Sequence, residues 1–340
     1  MKKIIVCLMA ALLFVSSPLL MFCSCKQSEL YSEGDGDLNV LCTIFPPFDL
    51  AREVGGDKVT LTLLQDSGAD LHNYTPTSAT LNALAKADVF IYVGGVSDEA
   101  WVYDAIKASG NKDVITLCLI DSINQIHAEL ENDWSEHDHA DGEHSDSDQS
   151  HTDSDHSGHD HSGHDHSGDE HIWTSLKNAA IMVDAIREVF TVADGANADY
   201  YENRANDYTA KLNSLDSSLE GLFSGDIPTV VFADRFPFVY LFHDYHIPYI
   251  AAFSGCSTEV NASFETQIKL INAVNNGSLD CIFTIEGGSK TLAKTISNET
   301  GCSVVSLDSM QSVTRSDIEN GVTYLSIMQK NVDVLLEVFG

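Results

Sequence analysis

Nine of the chain's 14 histidines fall within Glu136–Glu170, and this crowding is its clearest chemical signal. They are His137, His139, His144, His151, His156, His159, His161, His164 and His166. The same 35 residues hold twelve Asp or Glu, no Lys or Arg, and one hydrophobic residue, Ala140. Imidazole and carboxylate are ligands for divalent first-row metals, and imidazole suits zinc, copper and nickel in particular. Part of the stretch repeats every five residues as HSGHD, HSGHD and HSGDE across His156–Glu170. Nothing in it can bury enough apolar surface to offset chain entropy, so 136–170 reads as a disordered insert. Such a tract wraps ions in many alternative ways and makes several weak sites. It is a collector, not a fixed polyhedron.

A fixed site needs ligands on rigid elements, and in open α/β sheets these lie beyond the carboxyl ends of the strands. Four residues fall there. His72 sits in the loop after the run Val59–Leu64; Asp234 directly follows Thr229–Ala233; Asp308 directly follows Ser303–Leu307; His171 closes the insert, just before a helix beginning near Ser175. Two imidazoles and two carboxylates could close on one ion between two lobes. Alternatives to Asp234 are His243, which shares a helix face with His246 at i,i+3, and Glu286 at the end of Cys281–Ile285. Glu286 could equally orient a ligating His from behind. Trp173 and Phe236 read as packing residues.

The elements that must position these groups alternate. β-rich runs at Asn39–Ile44, Val59–Leu64, Asp88–Val93 and Val114–Leu117 are separated by helical patterns near Phe48–Val54, Thr77–Lys86 and Glu99–Ala108. The grammar returns at Thr229–Ala233, Tyr249–Ala252, Cys281–Ile285 and Ser303–Leu307, with helices near Pro237–Tyr245, Phe264–Asn275, Ser289–Glu299 and Thr323–Val338. This predicts an α/β fold of two parallel-sheet lobes with helices on both faces. Between them Tyr201, Ala205, Tyr208, Leu212, Leu215, Leu219 and Leu222 recur every three or four residues without Pro, predicting one long rigid connecting helix; the two His and two Asp above would then put a metal site in the interlobe cleft. The division is 39–195 for the first lobe, 196–224 for the helix and 225–340 for the second lobe.

Lys2 and Lys3 precede an apolar run from Ile4 to Phe22, the charged and apolar regions of a signal peptide. Ser24 before Cys25 resembles the cleavage pattern of bacterial lipoproteins, with Phe22 standing where an aliphatic residue is usual, so 1–24 reads as leader, Cys25 as a lipidated residue and 25–38 as a flexible tether. The expected location is extracytoplasmic, on the outer face of the membrane or in a periplasm. Of the later cysteines, Cys42, Cys118 and Cys281 lie in strand-like runs as small hydrophobes. No CxxC spacing supports a thiolate zinc site. A Cys256–Cys302 disulfide stays open, since the odd count leaves pairing undetermined. Eighteen Lys and Arg against 51 Asp and Glu leave a formal charge of −33, which repels phosphate backbones and excludes general nucleic-acid binding. No HExxH, GxSxG or GxxxxGK[ST] is present; two His and a carboxylate make a metallohydrolase the best enzymatic alternative.

The run Gly68-Ala69-Asp70-Leu71-His72-Asn73-Tyr74-Thr75-Pro76-Thr77 resembles the first metal-ligand motif of the ZnuA/TroA-like family, the zinc- and manganese-binding substrate-binding lipoproteins of ABC transporters. Asp169-Glu170-His171-Ile172-Trp173 is similar to its second motif, preceded by the His-rich insert of the zinc members. Ser306-Leu307-Asp308-Ser309 resembles the segment supplying the last carboxylate, and Gly321–Met328 with Asn331 the closing helix. Where zinc members carry a third His, this chain has Val231-Phe232-Ala233-Asp234-Arg235. The resemblance implies a non-enzymatic, monomeric receptor that captures Zn²⁺, with Mn²⁺ or iron as the alternative cargo, and delivers it to an ABC permease and its ATPase. A surface adhesin or passive metal buffer is the other reading.

Overall fold

The computed structural model describes residues 30–65, 74–127, 169–223, 225–255, 257, 261–277, 279–287 and 290–340. The first lobe runs β1 (Tyr31–Glu33), β2 (Leu38–Cys42), α1 (Phe45–Gly55), β3 (Val59–Leu63), α2 (Ser78–Leu84), β4 (Val89–Tyr92), α3 (Val96–Glu99), α4 (Val102–Ser109), β5 (Ile115–Cys118) and α5 (Leu119–His127). Two helices follow, α6 (Leu176–Ala193) and α7 (Ala198–Leu222). The second lobe is β6 (Val230–Phe236), α8 (Val239–Asp244), β7 (Tyr249–Ser254), α9 (Phe264–Asn276), β8 (Cys281–Ile285), α10 (Thr291–Thr300), β9 (Ser303–Leu307), α11 (Arg315–Glu319) and α12 (Tyr324–Phe339).

The strand orders are β1-β3-β2-β4-β5 and β7-β6-β8-β9, parallel throughout except for β1. Leaving β1 aside, each sheet places its own second strand, then first, third and fourth. The chain thus reverses direction between β2 and β4 and again between β6 and β8, the switch points beside which ligands bind in open sheets. The parallel α/β architecture expected from the alternation is the one observed. The helix expected over Glu99–Ala108 is instead two, α3 and α4, separated where Trp101 turns inward.

Strand alternation explains the layers. Val40 and Cys42 face one side of the first sheet with Phe48 of α1, while Leu41 faces the other with Leu84 and Val102. In the second sheet Phe232 and Phe283 face the shared side, and Val231 and Ile282 pack against Leu270 and Ile296. The shared side is one continuous core through both lobes, joined by Tyr201, Tyr208, Leu212 and Leu219 of α7. That helix is 25 residues long, about 38 Å at 1.5 Å per residue. It buries six of the seven apolar positions read from the sequence; Leu222, at its end, is half-buried. A spine embedded in the core of both lobes resists bending better than an exposed linker.

Two boundaries are corrected. The stretch 25–38, read as a flexible tether, contains β1, paired antiparallel with β3. Three residues give too short a pattern to register as a strand; only pairing with a neighbouring edge makes them one. Asp169 and Glu170, read as the end of the disordered insert, are placed and Glu170 is 3% exposed. Their composition matches the insert, but their partners lie on both lobes.

Candidate metal centre

His171 is fully buried at the start of a short 3₁₀ turn, Ile172–Thr174, which leads into α6 through Ser175. Ser175 caps that helix by accepting from Asn178 N at 2.9 Å, and its hydroxyl donates to Asp244 Oδ2 at 2.6 Å. The imidazole is therefore mounted on a capped 18-residue helix tied to the second lobe.

Asp169 Oδ1 accepts from both His171 N (2.8 Å) and His171 Nδ1 (2.6 Å). An ionised carboxylate can only accept, so Nδ1 donates, which in a neutral ring leaves the lone pair on Nε2. This is how a metal-ligating His is held in tautomer and orientation. Tyr240 OH donates to the Asp169 carbonyl at 2.9 Å. Gly255, just past β7, lets the pair approach: a Cβ there would lie 2.6 Å from Asp169 Oδ2 and 3.0 Å from His171 Nδ1.

The next side chain points into the other lobe. Glu170 Oε1 accepts from Ser97 N at 2.7 Å, beyond the carboxyl end of β4. Gly95 has φ +80, and a Cβ there would strike Glu170 Cγ at 2.5 Å. Asp169 and Glu170 thus strap His171 between the lobes.

Trp173 connects this segment to Asp308. Its Nε1 donates to Ser309 O at 2.8 Å, and Tyr324 OH of α12 donates to Trp173 O at 2.7 Å. Asp308 is fixed by its own backbone: its N donates to Asn331 Oδ1, and Asn331 Nδ2 donates back to its carbonyl, both at 2.8 Å. Met310 N donates to Asp308 Oδ1 at 2.8 Å, and Met310 takes a left-handed φ of +65. Burial, then the nearby Glu286 charge, pushes the Asp308 carboxyl up to about 6. A desolvated carboxylate beside another acid is a group that a cation would relieve.

Glu286 serves the same loop. Its Oε2 accepts from Ser309 N and its Oε1 from Ser309 Oγ, both at 2.7 Å. Asp234 lies on β6. The bulge in β6 between Phe232 and Arg235 breaks strict alternation, so Ala233 and Asp234 both line a cavity of 240 Å³ with Phe253, Asn261, Gln267 and Lys290. Asp234 is the one acid among the described residues lining that cavity, and its Oδ1 accepts from Arg235 N at 2.9 Å. His243 lies half-buried in α8, its ring 6.3 Å from that of His246.

His72, the nine insert histidines, Cys25 and Cys256 lie outside the described residues. Among the described residues, no three His, Cys, Asp or Glu side chains gather closely enough to hold an ion. The structure brings the segments of His171 and Asp308 together through Trp173 and Ser309, and places Asp234 on the wall of the cavity beside β6. Sequence reasoning quoted Asp169 and Glu170 only as part of the second motif, giving them no supporting role, and missed Gly255 and Tyr240. A carboxylate two residues before a His was a usable signal, hidden because it looked like more of the insert. Trp173 and Phe236 are buried packing residues, as read.

The family described as zinc-uptake complex component A, periplasmic (ZnuA) matches residues 40–338. The chain belongs to the ZnuA family. That family is described as a component of zinc uptake. Curated relatives include the zinc-binding lipoprotein AdcA of Streptococcus pneumoniae, 28% identical over 98% of this chain, and the high-affinity zinc uptake system protein ZnuA of Bacillus subtilis, 26% identical over 96% of both. The chain spans about 60% of the length of AdcA. Among solved structures, the Zn(II)-bound ZnuA-like domain of S. pneumoniae AdcA superposes with a TM-score of 0.66 at 25% identity, covering 89% of this chain and 99% of that one. The B. subtilis metal-dependent lipoprotein YcdH shares the fold, with a TM-score of 0.69 at 21% identity over 89% and 100%.

Proposed function

We propose that the chain is a lipid-anchored extracytoplasmic receptor that captures Zn²⁺ between its lobes and passes it to an ABC permease driven by its ATPase. The observation that carries this reading is the buried Asp169–His171 pair, tied through Trp173 to the loop of a desolvated Asp308; His171 would ligate through Nε2. His72 and His171 supply imidazole; Asp308 and Asp234 supply carboxylate. Glu286 and Asp169 hold these ligands and do not ligate. The insert histidines collect ions weakly at the surface, and the zinc-binding relatives favour zinc as cargo. Lipid on Cys25, after the Ser24–Cys25 junction, keeps the receptor at the membrane.

Two carboxylates also suit manganese, so the test measures both metals. Crystals grown with equimolar Zn²⁺ and Mn²⁺ should give anomalous density at the zinc edge within bonding distance of His171 Nε2 and an Asp308 oxygen. Density away from both residues removes the ligand set, and density at the manganese edge alone reverses the choice of cargo. Cys25→Ser should release the protein from membranes; unchanged retention removes the anchor.

A further inference from the structure

Among the described residues β1 is the one antiparallel strand, and its direction decides where the chain enters the molecule. Tyr31 pairs with Leu63 and Glu33 with Leu61, so entry is at the carboxyl end of β3, the end that leads on to His72. Tyr31 packs on Phe48 of α1, with ring centroids 5.7 Å apart, and lies 5.5 Å beneath the guanidinium of Arg315, the first residue of α11. Its neighbourhood therefore belongs to both lobes. The strand is well fastened. Ser32 Oγ donates to Leu61 O at 2.9 Å, Thr60 Oγ1 to Gly36 O at 2.8 Å, and Arg52 Nη1 lies 3.6 Å from Glu33 Oε1. Arg52 in turn pairs with the buried Asp49, which accepts from Tyr324 N of α12 at 2.7 Å.

Only six residue steps separate Cys25 from Tyr31. At ~3.3–3.6 Å per residue the fully extended connection reaches about 20 Å. A compact fold of ~300 residues has a radius of gyration of about 19 Å, hence a diameter of about 50 Å. Standing the molecule on the outer pole of either lobe lifts the lobe junction about 25 Å from a surface, and laying it on its opposite side lifts it further. A tether of about 20 Å permits neither.

We propose that β1 is an orienting strap: it fastens the membrane anchor at the junction of the two lobes, so that the junction stays against the bilayer with both lobes beside it. Delivery to a membrane partner then starts from one bounded orientation. The inference rests on the lipidation of Cys25 proposed above.

The test uses the full lipidated chain on phosphatidylglycerol/phosphatidylethanolamine vesicles containing an acceptor-labelled lipid. A donor dye is placed either at Glu319, the exposed end of α11 near Tyr31, or at Lys112, exposed in the turn ahead of β5 at the amino end of the parallel strands, opposite the end at which the chain enters. Energy transfer from Glu319 should exceed that from Lys112 at least twofold. A 20-residue Gly/Ser insertion between Ser28 and Glu29 should erase the difference while the protein stays on the vesicles. Equal transfer from the two positions, or a difference that survives the insertion, overturns the strap. Loss of vesicle binding by the Cys25→Ser control, with the parent bound, shows that the anchor is present; a parent that never binds indicts the lipidation and not the strand.

Discussion

In the first lobe, the carboxyl ends of the parallel strands receive side chains; in the second, they carry them. β4 ends in Gly94–Gly95, whose missing side chain admits Glu170, and the outer edge of β3 is covered by β1. β8 and β9 end in Glu286 and Asp308, acids locked by Ser309 and Asn331, and on the described residues β7 has no strand outside it. Both sheets share one strand order, so topology alone sets the place where a ligand can lie. What differs is the source of rigidity. Asp308 is held by bonds within its own lobe, whereas His171 is held by a strap that spans both. The carboxylate side of the site should therefore survive changes that disable the imidazole side.

The largest effect should come from the imidazole. A structural zinc site contributes about 10–16 kcal/mol, or about 2.5–4 kcal/mol for each of four ligands, which is roughly 10²–10³-fold in affinity. His171→Ala should lose that much in a competitive zinc titration; wild-type affinity would remove His171 from the site. Asp169→Ala should lose about 10–100-fold, because the ring then chooses its own tautomer and angle. An unchanged titration would mean that the strap is structural only.

Next comes stability against pH. Burial pushes Asp49, Asp244 and Asp308 each up to about 6. A carboxyl whose pKa rises on folding binds its proton more tightly in the native state. Its stabilising contribution is complete below the unfolded value near 4 and is lost as pH rises through about 6. The metal-free protein should be more stable at pH 5 than at pH 7.5 by about 1 kcal/mol per carboxyl, and so melt higher, and Asp49→Asn should narrow the gap. Calorimetry giving the same melting temperature at both pH values would contradict this.

Asp234→Ala should weaken zinc binding by about tenfold, while His243→Ala leaves it unchanged. The reverse pattern would move the third ligand onto α8 and make the β6 bulge irrelevant to metal. The smallest change in tight affinity should follow deletion of 136–168. Stoichiometry should fall toward one ion with the tight site intact, since ordering a flexible tract around each ion costs chain entropy that the cleft does not incur. Isothermal titration reads both numbers, and loss of the tight site would make the insert part of it.

The alternating strand and helix patterns, the seven apolar positions of α7, and the position of Asp308 directly after β9 are all local in the chain. Periodicity and residue type were enough to fix them, because each depends on which face of one element is apolar. The tertiary structure alone decided the rest. Whether Asp169 belongs to the insert or to His171 depends on Tyr240 and Gly255, 71 and 86 positions away. Whether 31–33 is a strand depends on the unpaired edge of β3, and whether Asp234 shares a side with Ala233 depends on a bulge. Composition cannot register these, since each is a hydrogen bond or a steric vacancy supplied by a residue distant in sequence and adjacent only after folding.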